Sequence, residues 1–309
     1  MAAIRLALIG LGKIAVDSHI PAIRATPEIE LVAVSSPHAG PMDGMRSYTD
    51  HREMLAAGGI DAVAVCTPTQ LHYQVACDCF AAGVDVLLEK PPAATLSAFE
   101  ALIAQAQAAG RVLFAAWHAR FAAGVEAARS ALAKRTVSAV DIVWREDVRR
   151  WHRGQQWIWT AGGFGVFDPG INALSIATRI LPQHLLLDHA ALDFPAGRDA
   201  PIAARLGFIG LRGGADFDWR PAGDPVWTIT VISDGAPLVL SHGGHRLTIG
   251  GAAVALAPVV EYEGVYRTFV ELLRTRRSDA DAAPLRLAAD AFLIGARRTV
   301  EAFVEPPPP

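Results

Sequence analysis

No stretch of this 309-residue chain is apolar for long enough to cross a bilayer, and none carries a block of like charge. Lysine and arginine number 28 against 31 aspartates and glutamates, a formal net charge of −3. Nucleic acid and anionic membranes call for a clustered basic face, so neither partner is expected. Cysteine is scarce: Cys66, Cys77 and Cys79 make an odd set without metal-type spacing. Cys77 and Cys79 stand two apart in a helical stretch, on different faces, so they read as unbridged thiols in a reducing cytoplasm. Met1 to Arg5 has no signal-peptide architecture, and no histidine–carboxylate group has the spacing of a metal site. Apolar residues, by contrast, make up 52% of the chain, ample for a large core.

Length and pattern both divide the chain in two, at 1–120 and 121–309. In the first part, Ile4–Ile9, Leu31–Ser35, Ala62–Cys66, Val84–Leu88 and Val112–Ala116 are apolar without period-2 alternation, as strands buried on both faces should be. Helical stretches lie between them, at Lys13–Ala25, Arg52–Ala57, Leu71–Ala82 and Leu96–Ala109. This βαβ rhythm predicts a doubly wound, Rossmann-type parallel sheet. Beyond residue 120 come a helix at Ala122–Lys134 and an alternating strand at Val137–Val148. Short strands follow between glycines, prolines and aspartates, then helices at Val265–Thr275 and Leu285–Phe303. The expectation is an α/β chain whose second domain is α+β on a large, mostly antiparallel open sheet. The last helix is expected to pack back on the first domain, and the uncovered sheet face to pair two copies as a homodimer.

The first strand runs into Gly10-Leu11-Gly12-Lys13-Ile14-Ala15. Gly10 permits the tight turn, Gly12 lets a pyrophosphate approach the backbone, and Ala15 lets helix and strand pack closely. The helix N-terminus then presents free N–H groups to the phosphates, which assigns Lys13 and Ile14 to the same site. The second strand ends in Val34-Ser35-Ser36-Pro37-His38, without the carboxylate that would reject a 2′-phosphate. Ser36 bonds a hydroxyl or a phosphate equally well, and His38 and Arg46 are near in sequence, so NADP and NAD are both expected cofactors.

Three further runs carry a resemblance: Thr67-Pro68-Thr69-Gln70-Leu71-His72, Glu89-Lys90-Pro91-Pro92, and Gly162-Gly163-Phe164-Gly165-Val166-Phe167-Asp168-Pro169-Gly170-Ile171-Asn172. With the glycine turn they span nearly the whole chain, which resembles the glucose–fructose oxidoreductase/inositol dehydrogenase (Gfo/Idh/MocA) family. Within it, Glu146 to His152, Gln155 to Trp159, Trp117-His118 and Phe217 to Arg220 look like the bacterial L-arabinose/D-galactose 1-dehydrogenases. The resemblance implies an aldose substrate oxidised at C1 and a cis Lys90-Pro91 bond. It also implies Thr67, Pro68, His72, Glu89 and Lys90 at the cofactor. The wider family usually has histidine where Asn172 stands, and an amide cannot take a proton at neutral pH.

Converting a hemiacetal to a lactone needs a base for the C1 hydroxyl and groups that favour its ionisation. Lys90 ends a parallel strand, where ligands of open α/β sheets bind, and its ammonium suits the second task. Asp168 and Asn172 stand one helical turn apart and share a face. Asp168 is therefore assigned as base, with Asn172 and Lys90 positioning the substrate. The competing reading of Asp168 is a helix N-cap followed by proline. Glu146 shares a strand face with Ile142 and Trp144, so its carboxylate needs a polar partner: a sugar hydroxyl, or Arg145, Arg149 or Arg150. Trp117, His118, Trp151 and His152 complete the expected sugar contacts, with His118 either bonding a hydroxyl or a satisfied core histidine, and Trp157 and Trp159 either stacking or core.

Overall fold

The computed structural model describes residues 2–37, 40, 44–221 and 223–304. Two compact units emerge: residues 1–118 with 260–282, and 119–259 with 283–309. Unit 1 holds a parallel sheet of β1 (Ile4–Ile9), β2 (Ile29–Ser35), β3 (Arg46–Tyr48), β4 (Ala62–Val65), β5 (Asp85–Glu89) and β6 (Leu113–Ala116), in the order β3-β2-β1-β4-β5-β6. The strand order reverses between β1 and β4, and ligands of such sheets bind at that reversal, outside the carboxyl ends of the strands. Leu6, Leu8, Val63, Val65, Leu87 and Leu88 are fully or almost fully buried, as the unbroken apolar runs require. The connections are α1 (Ile20–Arg24), α2 (His51–Ala57), α3 (Thr69–Ala81) and α4 (Leu96–Ala108). Before α1 the chain is wound as a π-helix over Ala15–His19, a form that recurs at functional sites. The edge strand β3 escaped the sequence reading because only Arg46, Ser47 and Tyr48 form it, with no apolar run.

Unit 2 opens with α5 (Val125–Leu132), one turn shorter at its start than expected, after a 3₁₀ turn at His118–Phe121. Its strands are β7 (Val137–Arg145), β8 (Leu187–Pro195), β9 (Ala203–Phe208), β10 (Arg212–Asp218), β11 (Val226–Ser233), β12 (Leu238–Ser241), β13 (Arg246–Ile249) and β14 (Ala252–Ala253). The strand expected to reach Val148 ends at Arg145. Asp147 then accepts the Arg149 N–H at 3.0 Å and caps α6 (Val148–Trp151). The long helix α7 (Phe167–Ile180) is buried along most of its length.

The chain then returns to unit 1 in α8 (Glu261–Thr275), whose Tyr262, Val265, Tyr266, Phe269, Val270 and Leu273 form a buried stripe at helical spacing. Arg276 closes the segment with 2.5 and 3.0 Å bonds to the Asp85 carboxylate. The helix that belongs with unit 1 is thus the one before the last. The last, α9 (Ala283–Ile294), lies in unit 2 and stops well short of Phe303. After Gly295 the chain forms β15 (Ala296–Val300), parallel to β8. Buried Asp193 on β8 explains this ending: Arg298 meets its two oxygens at 3.0 and 2.8 Å across the strand pair. The completed nine-stranded sheet runs β14-β13-β12-β11-β7-β10-β9-β8-β15, with only β7–β10 and β8–β15 parallel. No described helix is long and apolar enough to cross a membrane.

Candidate functional site

At the end of β1, Gly10 has φ +95° and its N–H donates to the Ser35 carbonyl at 2.7 Å. A Cβ there would lie 2.8 Å from the Cys66 carbonyl group, so only glycine fits the turn. At Gly12 an added Cβ meets nothing within 4 Å, which leaves the approach to the backbone open. Lys13 and Ile14 are exposed on the helix that follows, Lys13 paired with Asp17. Ser36 is half-buried beyond β2, its N–H on the Tyr48 carbonyl at 3.0 Å, while His38 lies outside the described residues. Arg46, expected near Ser36, donates instead to the Gly58 carbonyl at 2.9 Å.

Beyond β4, the Thr67 hydroxyl oxygen is buried without a hydrogen-bond partner among the described residues, a cost that a polar ligand would remove. Pro68 beside it is exposed. His72 is 1% exposed and braces this loop, its Nε2 2.8 Å from the Thr67 carbonyl. Burial lowers the His72 pKa against that bond, so the ring is neutral and Nε2 donates. An open glycine turn at a helix start and an orphaned hydroxyl at the strand-order reversal fit a dinucleotide.

Glu89, expected at the cofactor, points inward. It is 4% exposed; its Oε1 accepts from His19 Nε2 at 2.9 Å and the Tyr262 hydroxyl at 2.6 Å. Its Oε2 accepts the Lys90 backbone N–H at 2.9 Å. His19 Nδ1 meets the Tyr266 hydroxyl at 2.6 Å. Burial pushes the Glu89 pKa up. The His19 hydrogen bond and charge, the field of His118 and the Tyr262 hydroxyl outweigh it and hold the group at about 2. The π-wound turn that carries His19 is thereby tied to the residue before Lys90. Lys90 is half-buried, and the Lys90–Pro91 bond is cis. Trp117 is 2% exposed and donates to the Asp281 carbonyl at 2.9 Å. His118 holds Glu261 at 2.6 Å and stacks on Tyr262, with ring centroids 5.2 Å apart. Within unit 1, the expected sugar contacts Trp117 and His118 are both held by that unit's own groups.

In unit 2, Asp168 sits one residue inside α7, where Val166 holds the capping position. The N-cap reading of Asp168 therefore fails. Its carboxylate is buried, and His152 Nε2 stands 3.4 Å from Oδ2. Asn172 follows one turn along the helix, half-buried. The His152 ring lies against Trp219 at 5.1 Å, and its Nδ1 is 3.2 Å from Gln155 Oε1. Glu146 is 5% exposed and accepts from Trp227 Nε1 at 2.8 Å and Trp219 Nε1 at 3.4 Å. The arginines considered as its partners go elsewhere: Arg145 to Asp216, Arg149 to Asp147, Arg150 over the Trp151 ring. Trp227 stacks on Trp144 and meets Trp151, which is 38% exposed.

Asp168, His152, Trp219, Glu146, Trp227 and Trp151 thus form one connected cluster. Trp227 was not singled out in the sequence. Its signal is the strand register, which sets it opposite Trp144 with Glu146 two residues on. Trp159 is core, 1% exposed and packed on Trp219 and Phe303.

Comparison with known proteins sharpens this picture. Residues 4–117 match the model of an oxidoreductase family with an NAD-binding Rossmann fold, GFO_IDH_MocA. Galactose 1-dehydrogenase of Pseudomonas fluorescens is 42% identical over 311 residues, covering 99% of this chain and all of that one. The chain belongs to the Gfo/Idh/MocA oxidoreductase family. Its cofactor class is therefore a nicotinamide dinucleotide. The crystal structure of D-galactose-1-dehydrogenase from Rhizobium etli superposes with a TM-score of 0.93 at 48% identity, over 98% of this chain and 99% of that one. A 3-ketoreductase from Actinomadura kijaniata, in complex with NADP and TDP-benzene, has a TM-score of 0.82 at 18% identity, over 96% of this chain and 99% of that one. It shares the fold alone.

Proposed function

We propose that the chain is an NAD(P)-dependent aldose 1-dehydrogenase, oxidising the C1 hydroxyl of D-galactose- and L-arabinose-type pyranoses to the lactone. The observation that carries this reading is the unit 2 cluster, in which two buried carboxylates and a histidine are joined by indoles. Galactose 1-dehydrogenases similar over their full length point to the same chemistry. A sugar offers hydroxyls to polar groups and a C–H face to rings, and Glu146 beside Trp227 and Trp151 presents both kinds of partner.

Asp168 is assigned as the base for the C1 hydroxyl. Asn172, one turn on, orients that hydroxyl through its amide, and the Lys90 ammonium favours its ionisation. A bound dinucleotide supplies the acceptor for the C1 hydride. Gly10, Gly12, Ser36 and Thr67 are assigned to holding it. With Ser36 rather than a carboxylate directly after β2, nothing at that position repels a 2′-phosphate, and NADP and NAD are both accepted. D-Galactose and L-arabinose share ring configuration and differ by one CH₂OH group, which an apolar pocket separates by only about 1–3 kcal/mol. Both are substrates in this reading. The sheet face that exposes Asp141 and Arg145 of β7 is assigned to pairing two copies.

The test is the absorbance of reduced nicotinamide with NAD or NADP against aldoses and inositols. Reduction with D-galactose and L-arabinose but not with myo-inositol is the expected result. Silence with every aldose, while dinucleotide still binds, would overturn the reading.

A further inference from the structure

A buried carboxylate that takes a proton in each turnover must return it to water before the next. Asp168 is 5% exposed and lies in the first turn of a helix whose neighbouring residues are buried too. The group at its side is His152, 3.4 Å from Oδ2 and with 17% of its own side chain exposed. His152 stands at the end of α6, and its second nitrogen faces the Gln155 amide oxygen at 3.2 Å. That oxygen and an ionised Asp168 both accept; once Asp168 is protonated its O–H faces Nε2, and the tautomer with hydrogen on Nδ1 and the lone pair on Nε2 satisfies both contacts. This is the tautomer a proton acceptor beside a carboxylic acid requires.

We propose that His152 relays the proton from Asp168 to solvent. The inference rests on the assignment of Asp168 as the base. The C1 hydroxyl O–H bond breaks and its proton forms an O–H bond on Asp168. The proton then passes from Asp168 to Nε2 of His152, restoring the carboxylate and making an imidazolium. Nδ1 releases its proton to water, and the neutral ring regains its starting tautomer by exchange with solvent. Nothing is consumed beyond one water acting as acceptor. The Trp219 ring packs against the imidazole, with ring centroids 5.1 Å apart and planes tilted by 42°. The family position one turn beyond Asp168 holds Asn172, which cannot move a proton. His152 brings an imidazole to the same carboxylate from a different segment. It acts through Asp168 and so is a positioning and relay residue.

The experiment compares His152→Ala with the full-length wild type, using whichever sugar or polyol the wild type oxidises, so failure of the galactose assignment leaves it intact. A loss of kcat of about 10²-fold is expected, with the KM for sugar changed much less. Added imidazole, a base small enough for the vacated space, is expected to restore kcat several-fold in proportion to its neutral form. Unaltered dinucleotide fluorescence on binding checks the fold. His152→Gln, which refills the volume, serves if the alanine variant does not fold, and there the same loss is expected without rescue. A kcat near wild type with a raised KM would make His152 a sugar contact only. A lost kcat that no concentration of imidazole restores would make its role one of shape. Either result overturns the relay.

Discussion

Glu89 of unit 1 and Asp168 of unit 2 are about equally buried, at 4% and 5% exposure, in contrasting surroundings. Glu89 receives His19, the Tyr262 hydroxyl and the Lys90 N–H at 2.6–2.9 Å, and its charge is held down to a pKa of about 2. Such a group cannot exchange a proton near neutrality, but it fixes the backbone beside Lys90. Asp168 has the imidazole of His152 across a longer gap of 3.4 Å, and 17% of that side chain is exposed. Short donors on both oxygens make a carboxylate a brace. A carboxylate that passes protons on needs an acceptor within reach, and an imidazole is one.

Perturbing each side of this contrast gives different readouts. The largest effect is expected from Lys90→Ala, which leaves the Glu89 bond intact because that bond uses the backbone N–H. Its kcat should fall about 10³-fold with little change in thermal unfolding, measured by steady-state kinetics and calorimetry. Glu89→Gln should instead act on stability. The amide presents an N–H₂ group to a site supplied only with donors, costing about 3 kcal/mol and lowering the unfolding midpoint by several degrees. The pH dependence has a definite sign. The folded pKa of about 2 lies below the usual 4.5, so the stabilisation is complete above that value and is lost as pH falls towards 2. An acid titration of unfolding should show this limb in the wild type and lose it in Glu89→Gln.

Smaller effects are expected in the indole cluster. Glu146→Gln offers one amide oxygen to two indole donors and should raise the sugar KM about tenfold, with kcat close to wild type. Trp151→Ala removes an exposed ring and should raise KM about threefold to fivefold, the smallest change.

Much of unit 1 was legible because its strands are continuous apolar runs and its glycine turn has a local cause. The parts that were missed depend on partners remote in sequence. β3 has no apolar signature and exists through its pairing with β2. Residues 296–300 continue a helical pattern until Asp193, over a hundred residues away, draws Arg298 into a strand pair. The site divides in the same way. The Asp168–Asn172 spacing is helical arithmetic. The inward turn of Glu89 needs Tyr262, and the partners of Glu146 need the register that brings Trp227 alongside β7. A buried carboxylate announces that donors exist without naming them.

Asp168→Asn separates loss of the base from loss of the fold, with kcat for D-galactose and the thermal midpoint measured on the same preparation. A fall in kcat of about 10³-fold with the midpoint unchanged or raised is expected for a base whose charge serves the reaction rather than the fold. Turnover within about tenfold of wild type, or a loss of activity matched by a collapse in stability, would contradict it.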